Sequence, residues 1–132
     1  MAPLSEFAKN MLNGKNFATV STTMPDGSPQ ASIVWIDTDG ENVIFNTADG
    51  RVKTNNMRRD PRVSVTVFNM QNPYQQVTIR GRVTELTHEG ADAHIDKLAK
   101  KYLDRDRYPG HTDSETRVIV KIQPDHVSSM GG

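Results

Sequence analysis

The sequence predicts a mainly β, α+β protein in which six antiparallel strands close into a barrel flanked by helices. Short runs of alternating apolar and polar residues recur along the chain, and glycine- and proline-containing turns separate them. Most of these turns are too short to join parallel strands, so neighbouring strands must be antiparallel. In so short a chain, closure into a barrel is the economical way to remove exposed sheet edges.

The chain of 132 residues contains no linker-like stretch. We therefore expect one domain over residues 1–132, with loose tails only at about residues 1–3 and 128–132. Its hydrophobic content of 35% is modest. Small domains with few apolar residues often complete their burial by self-association, which favours a homodimer.

The first elements are a helix and a strand. Leu4–Asn13 carries apolar residues at helical spacing, with Ser5 near its start and Gly14 just past its end. Residues 17–22 alternate as a strand does, and the following Pro25-Asp26-Gly27 is a turn in which proline presets φ and glycine takes the positive φ. The helix is expected to pack on the barrel or cover one of its ends.

The next two strands are predicted at Gln30–Asp37 and Val43–Thr47, with an Asp-Gly turn between them. A short helix is predicted at Val52–Arg59 and is ended by Asp60-Pro61.

A clear half-buried strand follows at Arg62–Asn69, and then an irregular polar loop at Met70–Gln75. The fifth strand is predicted at Gln76–Leu86. Gly81 lies inside it, which would allow a bulge or a close approach of another backbone.

The last elements are a helix and a strand. Thr87 is suited to cap a helix from His88 to about Tyr102. After a polar loop at residues 104–114, a sixth strand is predicted at Thr116–Ile122.

The composition argues against several function classes. Sixteen basic and sixteen acidic residues balance, so neither a nucleic-acid-binding nor a membrane-surface protein is expected. No apolar run could span a bilayer and no signal-peptide pattern is present, so a soluble cytoplasmic protein is the plain expectation. The chain has no cysteine, its four histidines lack metal-ligand spacing, and no nucleophile motif occurs. We therefore predict neither a metal site nor a catalytic acid, base or nucleophile.

The stretch Val43–Pro61 carries the strongest functional signal. Between residues 51 and 62, five cations accompany one carboxylate, although the whole chain is neutral. Arg51 and Lys53 stand at the start of a predicted helix, where the helix dipole disfavours cations unless an anion lies between them. A solvated helix with ordinary surface cations is the alternative. We consider a site for a phosphate-bearing ligand the better interpretation.

Three segments together carry a family resemblance: GSPQASIVWID, VIFNTADGRVKTNNMRRDPRVSVTVF, and the later RYPG and ETRVIVKI. They resemble the pyridoxamine 5′-phosphate oxidase-like split β-barrel superfamily, and within it the actinobacterial branch of F420-dependent (deazaflavin-dependent) reductases. The resemblance runs from about Phe17 to Ile122. It implies an FMN-binding split-barrel fold and a homodimer with cofactor sites at the subunit interface.

The resemblance also implies which residues bind the cofactor, either coenzyme F420 or FMN. Arg51 and Lys53 would hold its phosphate, and its ring would lie along the second strand. The implied hydroxyl donors are Thr47 and Thr54, and Gln30 would lie nearby. The second strand would contribute Ser32, Ile33, Val34 and Trp35. The polar tail would meet Asn56 and Arg59, and the partner subunit would supply Asn72, Pro73, Tyr74 and Gln75.

The implied activity is hydride transfer from reduced F420 to a conjugated acceptor such as an alkene or a quinone. The chain ends PDHVSSMGG and lacks the Arg-Leu-x-Pro and Arg-x-His features of true pyridoxamine phosphate oxidases, which argues against vitamin B6 oxidation. Two alternatives stay open: an FMN-using oxidoreductase of the same fold, and a protein that binds a flavin or deazaflavin without turnover. A nucleic-acid-binding barrel is disfavoured because the basic stretch lacks interleaved aromatic residues.

Overall fold

A computed structural model describes residues 1–132 as one curled antiparallel sheet with three helices. The strands are β1 (Phe17–Thr23), β2 (Pro29–Trp35), β3 (Asp37–Thr38), β4 (Val43–Ala48), β5 (Arg62–Asn69), β6 (Asn72–Thr87) and β7 (Arg117–Met130). The helices are α1 (Glu6–Asn13), α2 (Val52–Arg59) and α3 (Ala91–Leu103). The hydrogen-bonded order is β2-β1-β5-β6-β7-β4-β3. This is the predicted split-barrel architecture.

The sheet has seven strands rather than the predicted six, because Ile36 divides the second predicted strand. The Ile36 N–H is hydrogen-bonded to the Tyr102 hydroxyl (3.0 Å), and its carbonyl accepts from Lys101 Nζ (2.7 Å). Its backbone therefore bonds to side chains of α3 instead of to a strand. Only this residue separates β2 from β3, which stand at opposite ends of the strand order. The split in the barrel lies here.

The β5–β6 connection also differs from the expectation. Only Met70 and Gln71 form the turn, because Asn69 pairs with Asn72 and β6 begins there. The predicted loop at Met70–Gln75 is therefore mostly strand. The predicted last strand ended at Ile122, but β7 continues past it because the long β6 provides backbone hydrogen-bond partners as far as Gln76, which pairs with Met130. The expected loose C-terminal tail thus continues as strand through Met130.

Gly81 fulfils both parts of its prediction. The register of β6 against β7 shifts between Arg80 and Gly81, as it does at a bulge. A Cβ atom built on Gly81 would lie only 2.1 Å from the Gln123 carbonyl oxygen. Only glycine lets the two backbones approach this closely.

Helix α3 begins at Ala91 and not at His88. Gly90 is its N-cap in the left-handed region (φ 75°). The Thr87 hydroxyl accepts from the Glu89 N–H (3.2 Å) in the turn before the helix, so it does not cap the helix. Helices α1 and α2 lie close to their predicted positions, with Ser5 as the N-cap of α1.

The core lies inside the curled sheet. Inward-facing valines, isoleucines and Phe45 fill it, and α1 covers one end with Ala8, Met11 and Leu12. A smaller cluster on the outside joins Ile95, Leu98 and Tyr102 of α3 to Trp35 of β2. No helix of the chain has the length and apolar character needed to cross a membrane. The second cluster forms the floor of the site described next.

Candidate functional site

A cavity of about 210 Å³ opens between β2, the start of α2, and α3. One side is apolar and the other is cationic. The apolar lining comprises Phe17, Ile33, Val34, Trp35, Ile95, Leu98 and Tyr108, and the polar lining comprises Asn46, Arg51, Lys53 and Arg117. This combination suits a ligand with a flat apolar body and an anionic group.

Lys53 lies at the centre of the cationic side. Its Nζ donates to the Ser32 hydroxyl (3.1 Å), which links the first turn of α2 to β2. Burial and then the neighbouring charges of Arg51 and Arg117 lower the pKa of Lys53 below its usual value of 10.5. An anion placed among these cations would offset the part of this lowering that comes from Arg51 and Arg117.

Arg51 occupies the N-cap position of α2, and its side chain makes no capping bond. Its Nη2 instead donates to Glu115 Oε1 (2.5 Å). This hydrogen bond is the main reason that the pKa of Glu115 is lowered. Glu115 is the one carboxylate that contacts the cluster of Arg51, Lys53 and Arg117, hereafter the cation cluster.

Arg117, at the first position of β7, is only 5% exposed. Its Nε donates to Asn46 Oδ1 (2.8 Å) and its Nη1 to Glu115 Oε2 (3.1 Å). The guanidinium also lies 5.3 Å from the centre of the Tyr108 ring, a distance suited to a cation–π contact. These contacts hold the guanidinium rigidly at the cavity wall.

The apolar side is a set of packed aromatic rings with one exposed aliphatic residue. Trp35 stacks on Tyr102 (5.1 Å between centroids, 6° between planes) and meets the edge of Tyr108 (5.9 Å, 86°). Ile33 on the same strand is 71% exposed. An exposed isoleucine beside a cavity provides a surface on which a flat ring could lie.

The structure gathers six of the predicted site residues at this cavity. Ile33, Val34, Trp35, Arg51 and Lys53 line it, and Ser32 is joined to it through Lys53.

Thr47 and Thr54 do not line the cavity and are fully buried. Thr54 Oγ1 donates to the Ala48 carbonyl (2.8 Å) and is 3.1 Å from Thr47 Oγ1. Since Thr54 uses its hydrogen on Ala48, Thr47 is the donor between the two hydroxyls. Both hydrogens are engaged inside the protein, where they fasten α2 to the end of β4.

Gln30, Asn56 and Arg59 form a separate hydrogen-bonded group. Thr22 Oγ1 donates to Gln30 Oε1 (2.7 Å) and accepts from Asn56 Nδ2 (3.0 Å). Arg59 bonds to Asn56 Oδ1 (3.3 Å) and to the Thr23 carbonyl. Asn56 is 2% exposed, so in this chain the group joins α2 to β1 and β2.

The segment Asn72, Pro73, Tyr74 and Gln75 lines no part of the cavity within its own chain. Tyr74 is 80% exposed. Its predicted approach to a cofactor from a second subunit stays a prediction.

Sequence reasoning missed six lining residues: Phe17, Asn46, Ile95, Leu98, Tyr108 and Arg117. Tyr108 belongs to the YPG segment that carries the resemblance, so the sequence contained a reason to expect it near the site. The sequence also contained a reason to expect Arg117 near a partner, because a cation at the start of an otherwise apolar strand requires one. Asn46 sits inside a buried strand and gave none.

A sequence profile described as pyridoxamine 5′-phosphate oxidase matches residues 4–131, nearly the whole chain. The chain belongs to the pyridoxamine 5′-phosphate oxidase family. A family member from Caulobacter vibrioides, a pyridoxine/pyridoxamine 5′-phosphate oxidase, is 32% identical over 98 residues. The match covers 74% of this chain and 44% of that relative, so the chain spans less than half of the curated relative's length.

Solved structures extend the comparison within this fold. A protein named F420 reductase superposes with a TM-score of 0.82 at 29% identity, covering 91% of this chain and 94% of that chain. A conserved hypothetical protein, Rv2991 from Mycobacterium tuberculosis, gives a TM-score of 0.71 at 24% identity, covering 92% and 81%. The second likeness shows the shared fold alone.

Proposed function

We propose that this pyridoxamine 5′-phosphate oxidase family member is an F420-dependent reductase that delivers a hydride to a conjugated acceptor such as an alkene or a quinone. The observation that carries the proposal is the cation cluster facing the apolar wall of β2 across one cavity. The similarity to a solved F420 reductase over 91% of the chain supports the deazaflavin as the first choice.

The residues present fit a phosphate-bearing cofactor. Three cations accompany one carboxylate at the cavity, and two of them stand at the N-terminal end of α2, where the dipole already favours an anion. Burial, and then repulsion from Arg51 and Arg117, lower the pKa of Lys53. A phosphate would remove that repulsion and accept charge-assisted hydrogen bonds.

In this proposal Arg51, Lys53 and Arg117 hold the phosphate, and the Ser32–Trp35 strand orients the ring. The cofactor when bound supplies the hydride chemistry. The chain contributes binding, orientation and exclusion of water, and the residues that line the cavity include no carboxylate or histidine.

We propose a second copy of the chain as the missing part of the site. The cavity of about 210 Å³ is smaller than the roughly 300–1,000 Å³ of ordinary small-molecule sites. An exposed apolar surface of Phe17, Ile33, Phe68 and Met70 adjoins it and shares two residues with it. A homodimer would cover this surface and bring the Asn72–Gln75 segment of the partner subunit to the cavity.

Two alternatives use the same site. An FMN-dependent oxidoreductase would use the same cations for the FMN phosphate, and family membership supports it. A non-catalytic flavin- or deazaflavin-binding protein would hold the cofactor with no ring face open to a substrate. The cofactor that binds more tightly decides the first alternative, and turnover decides the second.

The test is a binding titration of F420 and of FMN with the wild type, Lys53→Ala and the control Arg80→Ala. Arg80 is an exposed cation away from the cavity, so the control removes the same charge without touching the site. Lys53→Ala should cost about 1.5–3 kcal/mol of affinity for the preferred cofactor, and Arg80→Ala should cost little. Equal losses in both variants would contradict the site assignment.

Turnover is tested by following the oxidation of reduced F420 in the presence of alkene and quinone acceptors. The reductase proposal expects enzyme-dependent oxidation with at least one acceptor class. Tight F420 binding without any acceleration would favour the non-catalytic alternative.

A further inference from the structure

We infer that Asp37, His94 and Asn46 are positioning residues for Arg117, and that a proton added to His94 removes the Asn46 contact of Arg117 and weakens anion binding at the cavity. The identity of the bound anion rests on the proposed function, but the coupling of His94 to Arg117 does not. None of these three residues was singled out by the sequence, and only Asn46 lines the cavity.

The four side chains form one continuous hydrogen-bonded chain. His94 Nε2 lies 3.2 Å from Asp37 Oδ2, and His94 Nδ1 lies 3.1 Å from Asn46 Nδ2. Asn46 Oδ1 in turn accepts from Arg117 Nε at 2.8 Å. Asp37 and Asn46 are each 7% exposed and the His94 side chain 11%. The chain therefore runs through the protein interior from β3 to the cavity.

The carboxylate of Asp37 determines how every later group is oriented. Because a carboxylate only accepts, Nε2 of His94 carries the hydrogen, and Nδ1 of the neutral ring presents a lone pair. That lone pair accepts from Asn46 Nδ2, which also donates to the Ala91 carbonyl (2.9 Å). Both amide hydrogens are thereby engaged, so the Asn46 oxygen must face Arg117.

A second proton on His94 would reverse this order. Nδ1 would then carry a hydrogen that faces the Asn46 amide group. If the amide turns to accept that hydrogen, it loses Ala91 and presents its own N–H to the Nε–H of Arg117. Two donors would then face each other, and Arg117 would lose its Asn46 contact, which leaves the guanidinium held only by Glu115 Oε2 and the Tyr108 ring.

Because several charged groups surround His94, the direction in which anion affinity changes when His94 gains a proton distinguishes two explanations. Asp37 faces the ring from β3, and Lys97 of α3 lies 3.4 Å from the same carboxylate oxygen. Lys101, also on α3, is electrostatically coupled to Asp37, and Arg117 with Glu115 lies beyond Asn46. Simple electrostatics expects an added positive charge on His94 to tighten anion binding. The hydrogen-bonded chain from Asp37 to Arg117 instead predicts that anion binding weakens.

The first readout is NMR of the ligand-free protein between about pH 8 and about pH 5, where imidazoles titrate. The Arg117 Nε–H and the Asn46 amide signals should shift together with the His94 ring signals. In His94→Asn, whose amide oxygen can replace the Nδ1 acceptor but does not titrate, both signals should stay constant. An Arg117 signal that ignores His94, or that shifts equally in His94→Asn, would overturn the inference.

The second readout is sulfate binding, since sulfate keeps its charge over this range whereas a phosphate monoester does not. Wild-type affinity should fall about tenfold as the pH decreases, in line with the loss of one charge-assisted hydrogen bond. The affinity of His94→Asn should stay constant. Tighter sulfate binding at low pH would show that the added charge on His94 attracts the anion directly, and it would overturn the inference that His94 acts on Arg117 through Asn46.

Asp37→Asn provides a second variant if His94→Asn folds poorly. Loss of the carboxylate removes the acceptor that faces Nε2 of His94, so the His94 ring signals should move, and the Arg117 Nε–H signal should move with them. An Arg117 signal that stays in place while the His94 ring signals move would overturn the coupling. If NMR shows that the Arg117 signal follows His94 but the protein binds neither F420 nor FMN, the inference is supported and the proposed function is contradicted.

Discussion

Lys53 of α2 donates a hydrogen bond of 3.1 Å to the hydroxyl of Ser32, the residue of β2 that precedes the exposed Ile33. The contact joins the cationic side of the cavity to the strand that forms its apolar side. Under the proposed function it would therefore fix the spacing between an anion held by α2 and a ring lying on β2. The two residues are 21 positions apart in the sequence.

Replacing Lys53 by methionine should stabilise the ligand-free protein while it weakens cofactor binding. Burial and the charges of Arg51 and Arg117 lower the pKa of Lys53, so its charged form is destabilised by folding. The folded state holds this proton less firmly than the unfolded state, so the variant's advantage is present at neutral pH and shrinks as the pH rises towards 10.5. Thermal unfolding from pH 7 upwards measures it.

Lys53→Arg is the matched control, since it keeps the charge and should give no such stabilisation. A Lys53→Met variant with a lower melting temperature than the wild type at pH 7 would show that the Ser32 contact outweighs the repulsion.

Thr54→Val should destabilise the protein by about 1–3 kcal/mol, because it leaves the buried Thr47 hydroxyl without its acceptor. The double variant Thr47→Val/Thr54→Val should be less destabilised than the two single losses predict together. A double-mutant cycle by urea unfolding checks this. A purely structural pair leaves cofactor affinity unchanged, whereas loss of affinity in correctly folded variants would support the predicted donor role.

Gly81→Ala should destabilise the β6–β7 pairing by about 1–3 kcal/mol or more. The added Cβ would lie 2.1 Å from a backbone oxygen of Gln123, and a backbone atom cannot move aside as a flexible side chain would. The neighbouring exposed substitution Arg80→Ala is the control and should stay within about 0.5 kcal/mol. Equal stability of the two variants in urea would mean that the bulge rearranges freely.

Asp37→Asn should lower stability at neutral pH and lose that effect in acid. Burial acts against ionisation of Asp37, but the hydrogen bonds from His94 and Thr38 and the charge of Lys97 outweigh it and hold the pKa at about 2. The ionised carboxylate therefore contributes stability that is fully present above 3.8, the unfolded value, and is lost as the pH falls towards 2.

The size of this effect follows from the difference between those two pKa values and is about 2 kcal/mol. Urea unfolding at about pH 6 and about pH 3 compares wild type and variant. A stability difference that does not shrink on acidification would show that the carboxylate charge is not what stabilises this position.

The sequence determined the local elements of this protein. The Pro25-Asp26-Gly27 turn, helix α2 and the alternation in β5 depend on backbone preferences within a few residues. Gly81 indicated a close backbone contact, because glycine inside a strand is destabilising and usually marks a bulge or a close approach. The concentration of cations from Arg51 onward could also be counted directly, and two of them, Arg51 and Lys53, line the cavity.

Only the tertiary structure decided the split at Ile36, the length of β7 and the composition of the cavity wall. Ile36 leaves the sheet because residues 65 and 66 positions later bond to its backbone. The same holds for Asn46 and Arg117, which are 71 positions apart, and for the threonines whose hydroxyls turned inward. A buried polar group must find a partner wherever the fold offers one. That choice depends on which segments meet in space, and no local pattern records it.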